Sequence, residues 1–237
     1  MNETDSSANN NDEALGLRQI KAVYVYDAPV RFWHLTNGVS IVILIITGYF
    51  IGTPLPSSHQ GSTEIYSMGW IRLTHFVAAY IFAIGFLGRL YWVFAGNAHA
   101  KQIFYLPIHK LRWWGEVIFE LKWYMFMVKQ PKKYIAHNPL ARVMMFTFAV
   151  WGSIYMILTG FALYSEGEGS GHWSDICFGW ILDLSGGSMA THSLHRIGMW
   201  VTLIFATIHT YAAIREDIVS RQSILATMSS GWRTFRD

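Results

Sequence analysis

Apolar residues of this 237-residue chain are concentrated in four long stretches separated by polar segments. The stretches span roughly residues 33–52, 71–96, 144–164 and 193–214. Each is close to the roughly 20 apolar residues that a helix needs to cross about 30 Å of hydrocarbon. A further apolar piece, residues 176–184, is too short to cross, so we expect an interfacial turn or helix there. The pattern predicts an all-α membrane protein built as a four-transmembrane-helix bundle.

The polar segments divide the chain into three parts. Residues 1–20 are polar and lack the basic region and apolar core of a cleavable secretory signal, so we expect a disordered cytoplasmic tail. Residues 21–217 form the predicted four-helix membrane domain. Residues 218–237 are predicted to be a cytoplasmic C-terminal tail.

The segment 111–129, between the second and third stretches, mixes aromatic and charged residues. This pattern is typical of a helix at the bilayer surface, with Trp113, Trp114 and Trp123 at the level of the headgroups. A helix that covers the cytoplasmic mouth of the bundle would have the same pattern. The sequence leaves both interpretations open.

Charge placement predicts how the bundle is oriented. The chain is 52% hydrophobic and 14% charged, with a formal net charge of +3, against about 25% charged residues in soluble proteins. Residues 53–70 and 165–193 contain no Lys or Arg, whereas residues 97–142 contain eight. Because short cytoplasmic loops retain basic residues, we expect both termini and the central segment in the cytoplasm. The pattern also predicts several membrane passes, contact with membrane lipid and no nucleic-acid partner.

Cysteine content limits the redox groups that the chain could hold. Its only cysteine, Cys177, excludes an internal disulfide, a thiolate-bound iron–sulfur cluster and covalent attachment of a c-type haem. A redox group would therefore need histidine ligands or a partner protein.

Two histidines of the fourth stretch, His195 and His209, are fourteen residues apart. At about 100° and 1.5 Å per residue, fourteen steps return to within about 40° of the same helix face and rise about 21 Å. This separation suits two haem irons stacked across one bilayer. Ionisable residues inside a membrane are also costly, which favours a function for both.

Depth in the bilayer selects the partners of these two histidines. His34 begins the first stretch at the cytoplasmic level of His209, and His75 lies at the outer level of His195. We therefore predict an outer pair, His75 with His195, and an inner pair, His34 with His209, as the axial ligands of two b haems. His192 is the alternative to His195, although it lies about 60° off the shared face. A lone histidine at a helix end is more often an interface residue, so the prediction rests on the four together.

Other polar residues near the two levels are candidates for secondary roles. Arg72 and Arg196 stand beside the outer pair and could bind haem propionates or extend to the lipid headgroups. His137 and Asn138 precede the third stretch near the inner level and could bind a quinone, although Asn-Pro is also an ordinary helix start. Glycines that recur in the stretches would admit a flat macrocycle or allow close helix packing. They are Gly38, Gly48, Gly85, Gly88, Gly160 and Gly198.

Two segments of the chain resemble the signatures of a known family. RFWHLTNGVSIVILIITG at residues 31–48 and HSLHRIGMWVTLIFATIH at residues 192–209 resemble the b-type cytochrome subunit of nickel–iron hydrogenases. WIRLTHF, GYFIGTPLP and LTGFALYSE are also similar to that subunit. Leu35 and Thr202 depart from the family pattern, and neither is a proposed ligand.

The resemblance implies a multi-pass protein of the bacterial inner (cytoplasmic) membrane that anchors a periplasmic hydrogenase and accepts its electrons. The iron–sulfur small subunit and the nickel–iron large subunit of the hydrogenase would be its partners. Electrons would enter at the outer haem, pass to the inner haem and reduce a membrane quinone, while hydrogen activation would stay on the partner. The gamma subunit of formate dehydrogenase shares this plan and is an alternative. A histidine-lined metal transporter, or a purely structural anchor, fits less well because the histidines occupy two depths and the stretches lack carboxylates.

Overall fold

The computed structural model describes residues 21–54, 63–130, 132–221 and 223–235, so the predicted N-terminal tail lies outside the described residues. The helices, in chain order, are α1 (Ala28–Gly52), α2 (Thr63–Ala95), α3 (Leu111–Tyr124), α4 (Pro139–Met144), α5 (Gly152–Glu168), α6 (Trp173–Phe178), α7 (Trp180–Ser185), α8 (Ser188–Val219) and α9 (Ile224–Ser230). A π-helical stretch, Met145–Trp151, joins α4 to α5. Two short strands, β1 (Lys21–Tyr24) and β2 (Trp232–Phe235), lie near the two ends of the chain.

Four helices are long and apolar enough to cross a membrane, which confirms the predicted fold class. They are Ala28–Gly52, Tyr66–Ala95, Pro139–Glu168 and Ser188–Val219, of 25, 30, 30 and 32 residues. Each extends beyond the apolar stretch that predicted it, because polar residues at the ends continue the helical hydrogen bonding. Large apolar side chains such as Val39 and Ile46 point outward, as expected where lipid replaces water as the solvent.

The four spans pack in a closed arrangement that brings sequence-distant faces together. α1 packs along α2, α5 packs along α8, and smaller contacts join α1 to α8 and α2 to α5. Residues on the inward faces of all four spans can therefore meet at one level. The predicted interfacial piece forms α6 and α7, two short helices that pack against α5 and α8.

Helix α3 covers one end of the bundle. Trp113 and Trp123 are buried, and the Trp123 indole N–H donates to Glu216 Oε2 at 3.2 Å near the end of α8. Arg215 in turn donates to the Trp123 carbonyl at 3.2 Å. The burial of Trp113 and Trp123 favours the second interpretation, a helix that covers the mouth of the bundle, and their depth relative to the headgroups stays a prediction. Trp114 alone of the three is exposed.

The two ends of the described chain meet in a small antiparallel sheet that the sequence did not predict. β1 pairs with β2, with Tyr24 opposite Trp232, and Arg233 donates to three consecutive carbonyls at residues 134–136. Together with α9, this folds much of the expected C-terminal tail onto the bundle. Four-residue strands carry too few positions to produce a recognisable period.

Candidate functional site

The outer pair is held by two threonines that occupy equivalent positions on different helices. Thr47 Oγ1 of α1 lies 2.8 Å from His75 Nδ1, and Thr159 Oγ1 of α5 lies 2.8 Å from His195 Nδ1. A Cβ added at Gly48 would lie 3.3 Å from His75 Cε1 of α2 and 3.6 Å from Met199 Sδ of α8, so the fold brings α2 and α8 close to the same point of α1.

The hydroxyl protons decide which nitrogen of each ring is free. Thr47 Oγ1 is 2.7 Å from the Ile43 carbonyl, and Thr159 Oγ1 is 2.8 Å from the Tyr155 carbonyl, so each hydroxyl donates its single proton to its own helix. Each threonine oxygen must then accept from the imidazole, which places the ring proton on Nδ1. The Nε2 lone pair is left available, and an outer hydrogen bond of this kind is typical of metal-bound histidine.

A glycine follows each of these threonines and lets the imidazole approach the helix backbone. A Cβ added at Gly48 would lie 3.3 Å from His75 Cε1, and one at Gly160 would lie 3.2 Å from His195 Cε1. Both distances are tighter than ordinary side-chain contacts. These two glycines therefore make room for the ligand rings themselves, which is more specific than the helix packing or macrocycle space considered from the sequence.

The inner pair is spaced as two ligands of one metal ion would be. The ring centroids of His34 and His209 are 6.2 Å apart, with 59° between their planes. Two imidazoles on opposite sides of one metal ion have centroids about 6 to 7 Å apart, because a metal–imidazole bond is about 2 Å long. The measured spacing fits this geometry.

Stacked aromatic rings orient His209. Phe205 stacks on His209 with centroids 5.9 Å apart and 22° between planes, and Phe148 stacks on Phe205 at 5.6 Å. Phe148 belongs to the π-helical stretch, a distortion that is frequent at functional sites because it re-aims side chains. The inner pair is thus positioned by packing, where the outer pair is positioned by hydrogen bonds.

Both sites offer two imidazoles and no larger ligand set. Among the described residues, no group of three or more His, Cys, Asp and Glu side chains could hold a metal ion. Two imidazoles at one level would hold an iron that brings four nitrogens of its own, as haem does, and the haem would supply one-electron chemistry there. The donor set therefore fits a haem with two histidine ligands at each level.

Comparison with known proteins identifies the family to which the chain belongs. A family model described as Prokaryotic cytochrome b561 matches residues 25–231. The chain belongs to the prokaryotic cytochrome b561 family. It is therefore a membrane cytochrome b, and membership in this family implies b-type haem.

Curated relatives carry a more specific name. The chain is 53% identical over 221 residues to a probable Ni/Fe-hydrogenase B-type cytochrome subunit of Azotobacter chroococcum, covering 93% of this chain and 92% of that protein. A subunit of the same name from Rhodobacter capsulatus is 53% identical over 222 residues, covering 93% and 85%. The probable Ni/Fe-hydrogenase 1 B-type cytochrome subunit of Escherichia coli K12 is 41% identical over 217 residues, covering 90% and 91%. The resemblance inferred from the sequence is confirmed.

His192, the alternative ligand in this cytochrome b, lies one turn before His195 with an exposed side chain. Its Nδ1 is 3.1 Å from the Ser188 carbonyl and 4.0 Å from Glu166 Oε2. These contacts are to its own helix and to an acidic group, whereas His195 reaches Thr159 on the neighbouring span. They favour His195, and the choice stays a prediction.

The two arginines predicted to bind propionates differ in their surroundings. Arg196 donates to the Gly52 carbonyl and to Thr53 Oγ1, both at 3.2 Å, and so binds the C-terminal end of α1. Arg72 is exposed on α2. Neither contact set tests a role toward haem, and both assignments stay predictions.

His137 and Asn138 lie together before α4 but face different partners. Asn138 Oδ1 accepts from the Ala141 backbone N–H at 2.7 Å and caps the helix, which is the ordinary helix-start role. His137 Nδ1 is 3.1 Å from the Tyr26 hydroxyl. Burial raises the pKa of Tyr26 to about 12 and lowers the pKa of His137 to about 3, so both groups are neutral at pH 7. The quinone role stays a prediction for both residues, and the cap occupies only the oxygen of Asn138 and not its Nδ2 donor.

The sequence analysis did not single out Thr47 and Thr159, although the sequence contains a pattern that marks both. Both stand in the dipeptide Thr-Gly, five residues before the end of a predicted span, as IITG and ILTG. Repetition of one dipeptide on two spans at the level of the outer pair could have singled them out.

Proposed function

We propose that this cytochrome b is the membrane subunit of a nickel–iron hydrogenase that passes electrons from hydrogen oxidation on its partner to membrane quinone. His75 and His195 would hold one b haem, and His34 and His209 a second. When bound between two imidazoles, haem iron exchanges one electron at a time without needing an open coordination position. The observation that carries the proposal is the spacing of the inner pair, 6.2 Å between the ring centroids of His34 and His209.

The chain's own residues supply orientation and dielectric around each pair. Thr47 and Thr159 hold the outer imidazoles with Nε2 free, which raises their strength as ligands. Phe205 restricts rotation of the His209 ring by stacking on it. The apolar spans would exclude water from both levels, so solvent would screen the charge of a transferred electron only weakly.

Charge placement supports a periplasmic partner. Residues 165–193, which include α6 and α7, carry no basic residue, while α3 and its flanking segments carry several. Under the positive-inside rule, the segment with α6 and α7 faces the periplasm of the inner membrane. The hydrogenase small and large subunits would dock there, and the names of the relatives support only the association with a Ni/Fe hydrogenase.

Quinone binding is proposed at the opposite end, beside the inner pair. If the Tyr26 hydroxyl donates to His137 Nδ1, the imidazole proton lies on Nε2, where it can be donated to a quinone carbonyl. Asn138, which is buried and caps α4 through its oxygen, could contribute its Nδ2 group as a second donor. Protons for quinone reduction would then come from the cytoplasmic side.

Purified complex of this chain with its co-expressed hydrogenase tests the proposal. Pyridine haemochrome analysis should give two b haems per chain, and hydrogen should reduce them and then an added quinone. His34→Ala should leave one haem, because the inner pair then keeps only one of its two imidazoles. The exposed loop residue His109 can be changed to Ala as a matched control without loss. Absence of haem would end the cytochrome proposal, and reduction by formate but not hydrogen would reassign the partner.

A further inference from the structure

A buried arginine on α2 has donors that the protein does not use. Arg89 is only 4% exposed, and its NH2 group donates to the Ala100 carbonyl at 2.6 Å. Its Nε and NH1 are buried and have no hydrogen-bond partner among the described residues. A buried cation with unpaired donors is strongly destabilising, so an anion is needed at this position.

The position of Arg89 on α2 places it beside the inner pair. Arg89 follows His75 by fourteen residues, the same interval that separates His195 from His209 on α8. Both intervals correspond to about 21 Å along one helix face, so Arg89 lies at the level of the inner pair. Its Cζ is 5.5 Å from the ring centroid of Trp33, the residue next to His34 in the chain.

The surroundings of Arg89 hold its guanidinium in a fixed plane. Phe104, with a ring centroid 5.0 Å from Cζ, contacts the group in addition to Trp33. The Trp33 indole Nε1 is also buried without a partner among the described residues. Three unpartnered nitrogen donors, two of them on the rigid guanidinium of Arg89, therefore lie together at the level of the inner pair. A planar guanidinium of this kind binds a carboxylate through two parallel hydrogen bonds.

We propose that Arg89, assisted by the Trp33 indole N–H, binds the carboxylate side groups of the haem held by His34 and His209. The proposal rests on the proposed function, because it requires a haem at the inner pair. A lipid phosphate offers the same oxyanion chemistry and is the competing occupant. The two differ in what they change, since only a haem carboxylate couples Arg89 to the properties of one haem.

Arg89→Gln and Arg89→Lys, in the purified complex, test this assignment. Loss of the cation should lower the midpoint potential of one haem, the same haem that is missing in His34→Ala, because uncompensated carboxylate charge favours ferric iron. That haem should also transfer to apomyoglobin roughly 10-fold faster, as expected for loss of an outer-shell partner. Arg89→Lys should shift both quantities in the same direction by less, because lysine keeps the charge and loses the fork.

Arg142 provides a matched control on the neighbouring helix. Its Nε and NH2 donate to the Gln102 and Tyr105 carbonyls, so it also joins a span to the segment after α2. Arg142→Gln should leave both haems unchanged. If Arg89→Gln behaves like Arg142→Gln, or alters the other haem instead, Arg89 has a structural or lipid-binding role and the proposal is overturned.

Two further outcomes keep the test decisive. If Arg89→Gln does not accumulate, Arg89→Lys decides, and unchanged potential and transfer rate in that variant overturn the proposal. If His34→Ala retains two haems, the ligand assignment itself fails, which is a different result from an inert Arg89.

Discussion

Replacing Thr159 with valine removes one oxygen from a buried site and preserves side-chain shape. Thr159 is 5% exposed, and its hydroxyl is the group 2.8 Å from His195 Nδ1. In the variant, the imidazole N–H is left without an acceptor, which costs about 1–3 kcal/mol. Loss of an outer-shell partner typically lowers metal affinity about 10–100-fold, or roughly 1.4–2.7 kcal/mol. The two magnitudes agree, so we expect one haem to be bound 10–100-fold more weakly.

Haem transfer to excess apomyoglobin measures this effect in the detergent-purified protein. The time course should contain one phase for each haem, and Thr159→Val should accelerate only one of them by about 10–100-fold. Thr47→Val should accelerate the same phase, because Thr47 holds the other imidazole of the outer pair. Thr202→Val is the matched control, since its hydroxyl donates to the Gly198 carbonyl at 2.8 Å in the same helical manner.

Three results would contradict this reasoning. Equal acceleration by Thr202→Val would show that the effect comes from the helix. No acceleration in either site variant would show that the hydroxyls do not support the ligands. Acceleration of different phases by Thr47→Val and Thr159→Val would show that His75 and His195 hold different haems.

Three other predictions concern the ligand choice, the topology and the pH dependence of stability. His195→Ala should lose one haem by pyridine haemochrome analysis and His192→Ala none, and the reverse result would exchange their roles. A reporter active only in the periplasm should work when fused at Gly169 and fail at Lys132, and the opposite pattern would invert the orientation. Burial, with a smaller contribution from nearby carboxylates, raises the pKa of Glu120 from 4.5 to about 7. Between pH 4.5 and pH 7 the folded state therefore binds a proton that the unfolded state has lost. The protein should lose roughly 3 kcal/mol of stability as the pH rises through this range. Glu120→Gln should abolish this fall in thermal melts, and a pH dependence that persists in the variant would assign it to another group.

Depth and helical phase made the spans and the histidine pairing accessible to sequence analysis. A bilayer imposes length and apolarity on each span, and fourteen residues fix both the face and the rise between His195 and His209. The structure brings His34 and His209 to 6.2 Å from helices that are far apart in sequence. The position of His34 and His209 at the same depth therefore predicted that they lie close together. Their role as haem ligands stays a prediction that the variants described above test.

Residues that depend on helix rotation were not accessible in the same way. Thr159 reads as an ordinary small residue of a membrane helix until the rotation of α5 against α8 is known. Arg89 reads as a cation that ends a span, because its burial comes from Trp33, Phe104 and the segment after α2. Similarly, the aromatic pattern of α3 is equally consistent with lipid and with protein, and only the contact of Trp123 with Glu216 distinguishes them.

Unequal support of the two pairs predicts unequal haem potentials. At the outer pair, hydrogen bonds from Nδ1 to Thr47 and Thr159 make the imidazoles stronger donors, which favours ferric iron and a lower potential. At the inner level, the Arg89 cation favours the ferrous state and a higher potential. Both effects make electron transfer from the outer to the inner level favourable. In a spectroelectrochemical titration, Thr159→Val should therefore raise the lower of the two midpoint potentials, and Arg89→Gln should lower the higher one. If Thr159→Val changes the higher potential and Arg89→Gln the lower one, this direction of electron flow is refuted.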